Sequence, residues 1–411
     1  MRISIVLIIS LIIPSILLAQ EEGKMMPPWQ KGEMEIHHIY TGRGEGVFCI
    51  FPDGTTMLID AGDIGPYIDP RTTHGSPDES RQPGEWLARY IAKRMDPKNQ
   101  KKIDYMFLTH FHNDHMGGVY KNSPKSKKGG DYFISGITEV GEYFQFGKMV
   151  DRDWPTYQFP IPQKSNIISN YLSFIKWNTE NTGMKMERFI SGSNEQFKLI
   201  RDPDEYKDLF EIRNIVSNGE VWTGVGSETR HYFPKEIPQG DSPDENKCSA
   251  GIRISYGTFD YFNGGDLTGR IPLNTPEWKD IETPVGRSVG PVEVCEVNHH
   301  AWIDAMSDSF LSSVRPQVFV AQVWNVRHLS LNVIQSMFSQ GIYPGKRDIF
   351  PTFLPEITKA YLGDDINRMT GKGGHVVIKV IPGGSQFKVI LLTTDDDSYT
   401  IKSVHGPYIC R

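Results

Sequence analysis

Three imidazoles and a carboxylate stand in one short stretch, His110-Phe-His-Asn-Asp-His115, followed at once by Met-Gly-Gly. Histidine and aspartate are ligands that suit zinc, manganese or iron. His110 and His112 are two positions apart and Asp114 adjoins His115, so the stretch can aim two ligand pairs at two neighbouring points. A hydrolytic site built on two divalent ions requires that arrangement. Only 12 histidines occur in 411 residues, which sets this cluster apart from an ordinary polar loop.

Such a loop needs a support. The apolar run Tyr105-Met-Phe-Leu108 reads as a short buried strand that delivers it, and Gly117-Gly118 closes a tight turn behind it. Upstream, Glu35–Tyr40, Val47–Phe51 and Thr56–Asp60 read as three strands of a meander, turned at Thr41-Gly-Arg-Gly-Glu-Gly46 and at Pro52-Asp-Gly54. Glu85–Met95 carries an amphipathic helical stripe that Asp96-Pro97 stops. His37 and His38 are adjacent in a strand and face opposite ways, so a structural role is expected for both.

The H-x-H-x-D-H stretch resembles the signature of the metallo-β-lactamase superfamily. Strand, helix, strand and ligand loop follow the superfamily order, and the meander closing on Leu58-Ile-Asp-Ala-Gly62 is similar to its first motif. The branch most resembled holds the hydrolase domain of the competence DNA-uptake protein and the phosphorylcholine esterase module. The resemblance implies an α/β (α+β) fold, an αββα four-layer sandwich with two metal ions at one edge. It also implies that Asp60 orients the metal loop without being a ligand.

Three later segments extend the resemblance. Asn263-Gly-Gly-Asp266 follows a strand pair joined at Tyr256-Gly257, and Asp266 falls where the superfamily has its bridging carboxylate. Val292–Val297 is a strand running into Asn298-His299-His300; the branch has His-His-Gly-Ser there, whereas this chain has His-His-Ala-Trp302. His299 is expected as a ligand and His300 as general acid or hydrogen-bond donor. Beyond the strand Pro316–Val323, His328 occupies the place of the last active-site histidine of the branch, a ligand or a substrate-facing group. The implied set is therefore His110 and His112 for one ion, Asp114 and His115 for the other, Asp266 between, and His299 and His328 in addition. Asp114 is also placed to orient the attacking water.

Residues 124–244 match the superfamily least and are expected to be an insertion or a divergent segment. Asn166–Asn178 looks helical there, and Phe210–Trp222 reads as a strand pair around Ser217-Asn-Gly219. No histidine precedes His231 in this interval, where many members carry another ligand; His231 is expected chiefly at the surface or in the core. At the end of the chain, His375–Ile381 and Phe387–Thr394 read as two strands able to add an edge to the second sheet.

Arg2, the apolar run Ile3–Leu18 and Leu-Ala-Gln20 describe a secretory signal peptide over residues 1–20, ahead of a hydrolase domain over 33–400. The run contains Pro14 and falls short of the roughly 20 residues of a membrane span, so no stable span is expected; a retained N-terminal anchor is the alternative. A net charge of −6 argues against a chain built mainly to coat nucleic acid, so no nucleic-acid partner is indicated. Cys49 and Cys295 lie in apolar runs, and nothing in the spacing requires Cys248 and Cys410 to pair. There is no Gly-x-Ser-x-Gly elbow, hence no serine nucleophile.

The expectation is a secreted or periplasmic hydrolase with two divalent ions, zinc first and manganese or iron behind it. It would act through a metal-bound hydroxide on a phosphoester, most simply a phosphodiester, of a small molecule or polymer. Attack at a carbonyl, as in the superfamily's lactonases and β-lactamases, is the alternative. A secreted binding protein with a degenerate metal site is a third reading.

Overall fold

The computed structural model describes residues 22–66, 69–96, 101–237 and 240–411. The segment expected to be a signal peptide and Pro97 lie outside them. No helix among the described residues is long and apolar enough to cross a membrane.

Two sheets carry the fold. The first is assembled from β1 (Met34–His38), β2 (Val47–Ile50), β3 (Thr56–Ile59), β4 (Lys102–Phe107), β5 (Gln145–Asp151) and β6 (Lys185–Arg188). The second takes β7 (Phe210–Ser217), β8 (Glu220–Trp222), β9 (Thr229–His231), β10 (Gly251–Tyr256), β11 (Phe259–Asn263), β12 (Val294–Glu296), β13 (Val318–Ala321) and β14 (Asp348–Pro351). The last three strands, β15 (His375–Val380), β16 (Gln386–Leu392) and β17 (Ile401–Ile409), return to the first sheet, whose order is β17-β16-β15-β1-β2-β3-β4-β5-β6. The second sheet runs β14-β13-β12-β11-β10-β7-β8-β9.

Period-two alternation explains the layering. In β2 and β3, Val47, Cys49, Met57 and Ile59 enter the core between the sheets, where Ile252, Ile254, Val294 and Val318 meet them. Phe48, Ile50 and Leu58 point the other way, against Leu87, Tyr90 and Ile91 of the helix Pro83–Arg94 and Phe174 of the helix Asn166–Asn181. On the far side, Phe262, Cys295 and Phe319 pack on Val285, Phe310, Leu311 and Ile334 from three further helices. Each sheet thus buries both faces, and the sequence of layers is αββα.

Residues 124–244 supply β5 and β6 to the first sheet and β7–β9 to the second, besides two helices of the first outer layer. The C-terminal strands do not extend the second sheet as expected. The meander leaves the outer edge of β1 open, and β15 closes it with Met34 opposite Val380 and His38 opposite Val376. A third strand, β17, has no clear apolar alternation, because most of its residues are exposed or half-buried, and the sequence reading passes over it. All four cysteines are free thiols.

Candidate metal centre

Parallel pairing places the site. β3 and β4 are parallel neighbours in one sheet, and β11, β12 and β13 are parallel in the other. Their carboxyl ends deliver Asp60, the His110–His115 loop, Asp266, His299 and His300 to one edge of the sandwich, where side chains from open α/β sheets generally form sites. The loop itself closes into one helical turn, Asn113–Met116.

Backbone contacts pin that turn. Glu45 and Asp63 donate their amides to the carbonyls of Asp114 and Asn113 (2.8 and 2.9 Å), and Ala61 donates to His115 (2.8 Å). Gly62 is required here, because a Cβ at this position would lie 1.7 Å from the Asp114 carbonyl oxygen. On the other side Glu245 accepts from the amide of Phe111 (2.9 Å) and is held by the buried Arg152 (2.7 and 2.6 Å). The Arg152 guanidinium also covers the Phe111 ring at 4.3 Å.

Asp60 sets the tautomers. Its Oδ1 accepts from the Thr109 amide (2.8 Å), and its Oδ2 accepts from the Thr109 hydroxyl (2.7 Å) and from His115 Nδ1 (2.8 Å). With its own proton given to Asp60, the Thr109 hydroxyl accepts from His110 Nδ1 (3.1 Å). Both imidazoles therefore carry their proton on Nδ1 and turn an Nε2 lone pair inward. A carboxylate fixing a ligating histidine in this way is a common second layer of metal sites.

Asp266 stands between two sets. Its Oδ1 lies 3.2 Å from His115 Nε2 and 3.5 Å from His300 Nε2, while Oδ2 lies 3.8 Å from His110 Nε2 and 4.0 Å from His299 Nε2. Among the described residues two groups have ligand atoms close enough to share one ion: Glu45, His115, Asp266 and His300, and separately His110, His112 and Asp266. Asp114 Oδ2 adjoins the first of these, 3.3 Å from His300 Nε2 and 3.7 Å from His115 Nε2.

Three atoms at the centre, His115 Nε2, Asp266 Oδ1 and His300 Nε2, are buried without a well-formed hydrogen bond. His300 gives its Nδ1 proton to the Gln322 carbonyl (3.1 Å), so its Nε2, like that of His115, is a lone pair. Lone pairs facing carboxylate oxygens repel unless positive charge lies between them. A divalent cation meets that need, and the donor set of imidazoles and carboxylates suits one.

The electrostatics point the same way. Burial, with His115 close by, drives His110 well below the usual imidazole range, so it is a neutral imidazole. Burial opposes charge on His115, but Asp266 and Asp114 outweigh it and raise its pKa well above the ordinary value, so a proton on Nε2 and a divalent cation compete for the same place. Burial likewise opposes ionisation of Asp114, yet the neighbouring imidazoles of His115 and His300 bring its pKa down to about 2. The imidazoles of His115, His300 and His299 hold Asp266 well below the carboxylate range. Glu45 is pushed well upward by burial and by Glu296 behind it.

The two neighbouring histidines differ. Both have left-handed backbones, with φ of 46° at His299 and 53° at His300, which turns their side chains to different quarters. His300 is buried in the cluster. The side chain of His299 is 16% accessible, faces the Asn246 side-chain amide through Nε2 (3.0 Å) and pairs through Nδ1 with Asp304 (2.7 Å). His112 is exposed, so the centre opens to solvent on that side. His328 lies outside both groups and stacks on His300, rings 4.5 Å apart and 12° from parallel. His231 is exposed on the edge strand β9 and faces the Phe233 carbonyl, also outside both groups. His37 binds Tyr90 and Glu35 on the helix side of β1, whereas His38 faces Glu296 between the sheets.

The sequence reading missed Glu45, Thr109, Arg152, Glu245 and Asp304. The only local sign was the position of Glu45 in a glycine-rich turn, which fits loop chemistry as well as a ligand.

The family model described as metallo-beta-lactamase superfamily matches residues 43–122, the span from the Glu45 turn through the ligand loop. No curated protein matches the chain. Residues 43–122 are thus similar to that superfamily, and with two sheets stacked between helices and an imidazole–carboxylate cradle at the strand ends the chain has the αββα fold and is a metal-dependent hydrolase.

Proposed function

We propose that the chain is an exported phosphoesterase, most simply a phosphodiesterase, working with two divalent cations. One observation carries the reading: the two oxygens of Asp266 are divided between two sets of imidazoles, each within 4.0 Å. A carboxylate so shared suits a pair of ions about 3.5–4 Å apart, the spacing used for in-line displacement at phosphorus. Similarity to the competence-protein and phosphorylcholine esterase branch supports the choice of phosphorus over a carbonyl. The leader-like N-terminus supports export.

On this reading His110 and His112 would hold one ion, Asp114, His115 and His300 the other, with Asp266 shared between them. Zinc fits these ligands, as do manganese and iron. The chemistry supplied by two cations in such a cradle is Lewis acidity and a water acidified to near neutrality.

The chain's own groups do the rest. Asp60 keeps the His110 and His115 lone pairs inward, directly at 2.8 Å for His115 and through Thr109 for His110. Asp114 orients the attacking water. His299, at the opening and paired with Asp304, is the group set to give a proton to the leaving oxygen. His328 braces His300 by stacking. This distribution exchanges the roles expected for His299 and His300 from the sequence.

The test is turnover of bis(p-nitrophenyl) phosphate by protein loaded with zinc or manganese, beside Asp114→Ala. Turnover that disappears in the variant supports the reading. A metal-replete protein with no turnover overturns it and shifts the assignment to carbonyl substrates, beginning with lactones.

A further inference from the structure

Trp302 has two sides in use. Its indole stacks on His299, centroids 5.8 Å apart and planes 22° from parallel, and meets the edge of His328 at 5.8 Å. It also lines an open groove of about 740 Å³ with Ile303, Leu331, Ile357 and Tyr361. The groove therefore continues from the wall of the metal centre.

Its lining is mostly apolar, with Ser330, Asn332 and Gln335 beside the apolar residues, and it is uncovered. Ile303 and Ile357 are each 60% exposed, and Leu331 and Tyr361 are exposed as well. Single apolar residues scattered over a surface need no explanation, but a contiguous group marks a binding site. The walls are fixed: the Tyr361 hydroxyl donates to the carbonyls of His328 (2.9 Å) and Leu329 (3.2 Å), beside the imidazole that stacks on His300. Val333, Ile334 and Met337 anchor the helix Leu331–Phe338 in the outer core, leaving Leu331 turned outward.

Charge at the junction narrows the occupant. The Arg327 guanidinium lies 5.8 Å over the Trp302 ring and is exposed, so a cation sits where the groove meets the metal centre. An anionic head between Arg327 and the metal centre, with an apolar arm along the trough, satisfies both halves.

We infer that the groove binds the alkyl or acyl arm of an amphiphilic phosphoester; the inference rests on the phosphoesterase reading and names its substrate class. Trp302, where the related branch has a small polar residue, then forms the threshold between the reacting phosphate and the chain.

The experiment is calorimetric titration of metal-loaded protein with decylphosphonate and methylphosphonate, neither of which can be hydrolysed. Each methylene buried tightens binding roughly fourfold, so four of them give a factor of about 250. The expected result is at least that preference for the decyl compound, and its collapse below about tenfold in Ile303→Ser/Ile357→Ser with methylphosphonate affinity unchanged. Equal affinity for the two compounds overturns the inference. So does a preference that survives the double substitution, and so does a concentration-dependent dimer abolished by the substitutions without any chain-length effect. Failure of the phosphoesterase reading appears separately, as absent turnover of bis(p-nitrophenyl) phosphate, and the same titration with decanoate and acetate then reads the groove alone.

Discussion

Asp60→Asn isolates the tautomer argument. Asp60 has φ of 56°, a left-handed conformation that asparagine adopts as readily as aspartate, so the backbone tolerates the change. The side chain keeps its shape and loses its charge. If the new Oδ1 stays on the Thr109 amide, the amide nitrogen occupies the Oδ2 position and donates toward Thr109 Oγ1 and His115 Nδ1, which lie 2.7 and 2.8 Å from that oxygen in the native protein. His115 must then carry its proton on Nε2, the atom that faces Asp266. If the amide flips, it meets the Thr109 N–H donor to donor. The first arrangement thus turns an Nε2–H toward the centre, and the second forfeits a buried hydrogen bond, about 1–3 kcal/mol. That range agrees with the 10–100-fold loss of metal affinity typical when the partner of a ligating histidine is removed, about 1.4–2.8 kcal/mol. The assay is zinc competition against a chromogenic chelator, with thermal melting of the metal-free protein to show that the fold persists. Zinc affinity within about twofold of wild type in a folded variant would refute the tautomer argument.

Further outcomes follow from the same geometry. Asp266→Ala should reduce bound metal from two ions to one or none by elemental analysis and lower turnover about 1000-fold or more; undiminished stoichiometry would end the bridging assignment. His300→Gln should lose metal, whereas His299→Gln should retain it and slow turnover most for esters with poor leaving groups; a reversed pattern would restore the roles first expected. Burial opposes charge on Glu35, but His37, Lys379 and Arg94 hold its pKa well below the carboxylate range. The stability it contributes is thus present above the unfolded pKa of about 4.3 and lost as pH falls through the lower folded value. Lys379→Met should therefore cost about 3 kcal/mol in urea unfolding at pH 7 and progressively less below about pH 4; an equal cost at pH 7 and pH 3 would contradict this.

Much of the framework was legible in the sequence because the relevant information is local. His110, His112, Asp114 and His115 occupy one strand-to-helix turn, so their spacing alone brings them together. The alternation in β2 and β3 showed strands, and the stripe over Glu85–Met95 showed a helix, because period and burial coincide there. In β17 they do not coincide, and that strand was invisible. The destination of β15 and β16 was also hidden, since two edges were open to an apolar strand pair and only assembly selects the one beside β1.

The sequence by itself thus determined a loop of imidazoles and a carboxylate at the end of a buried strand, and a chain able to layer helices around two sheets. Only the tertiary structure decided how that loop is completed. Glu45 and Glu245 reach it from turns far along the chain, through backbone approaches that no periodicity encodes. The division between His299 and His300 was likewise out of reach: both are histidine at successive positions, and two left-handed backbone angles set which one is buried among carboxylates and which is held by Asp304 at the opening. Ligand type is a property of the residue, whereas the direction of a lone pair is a property of the packed surroundings that fix its backbone and its tautomer.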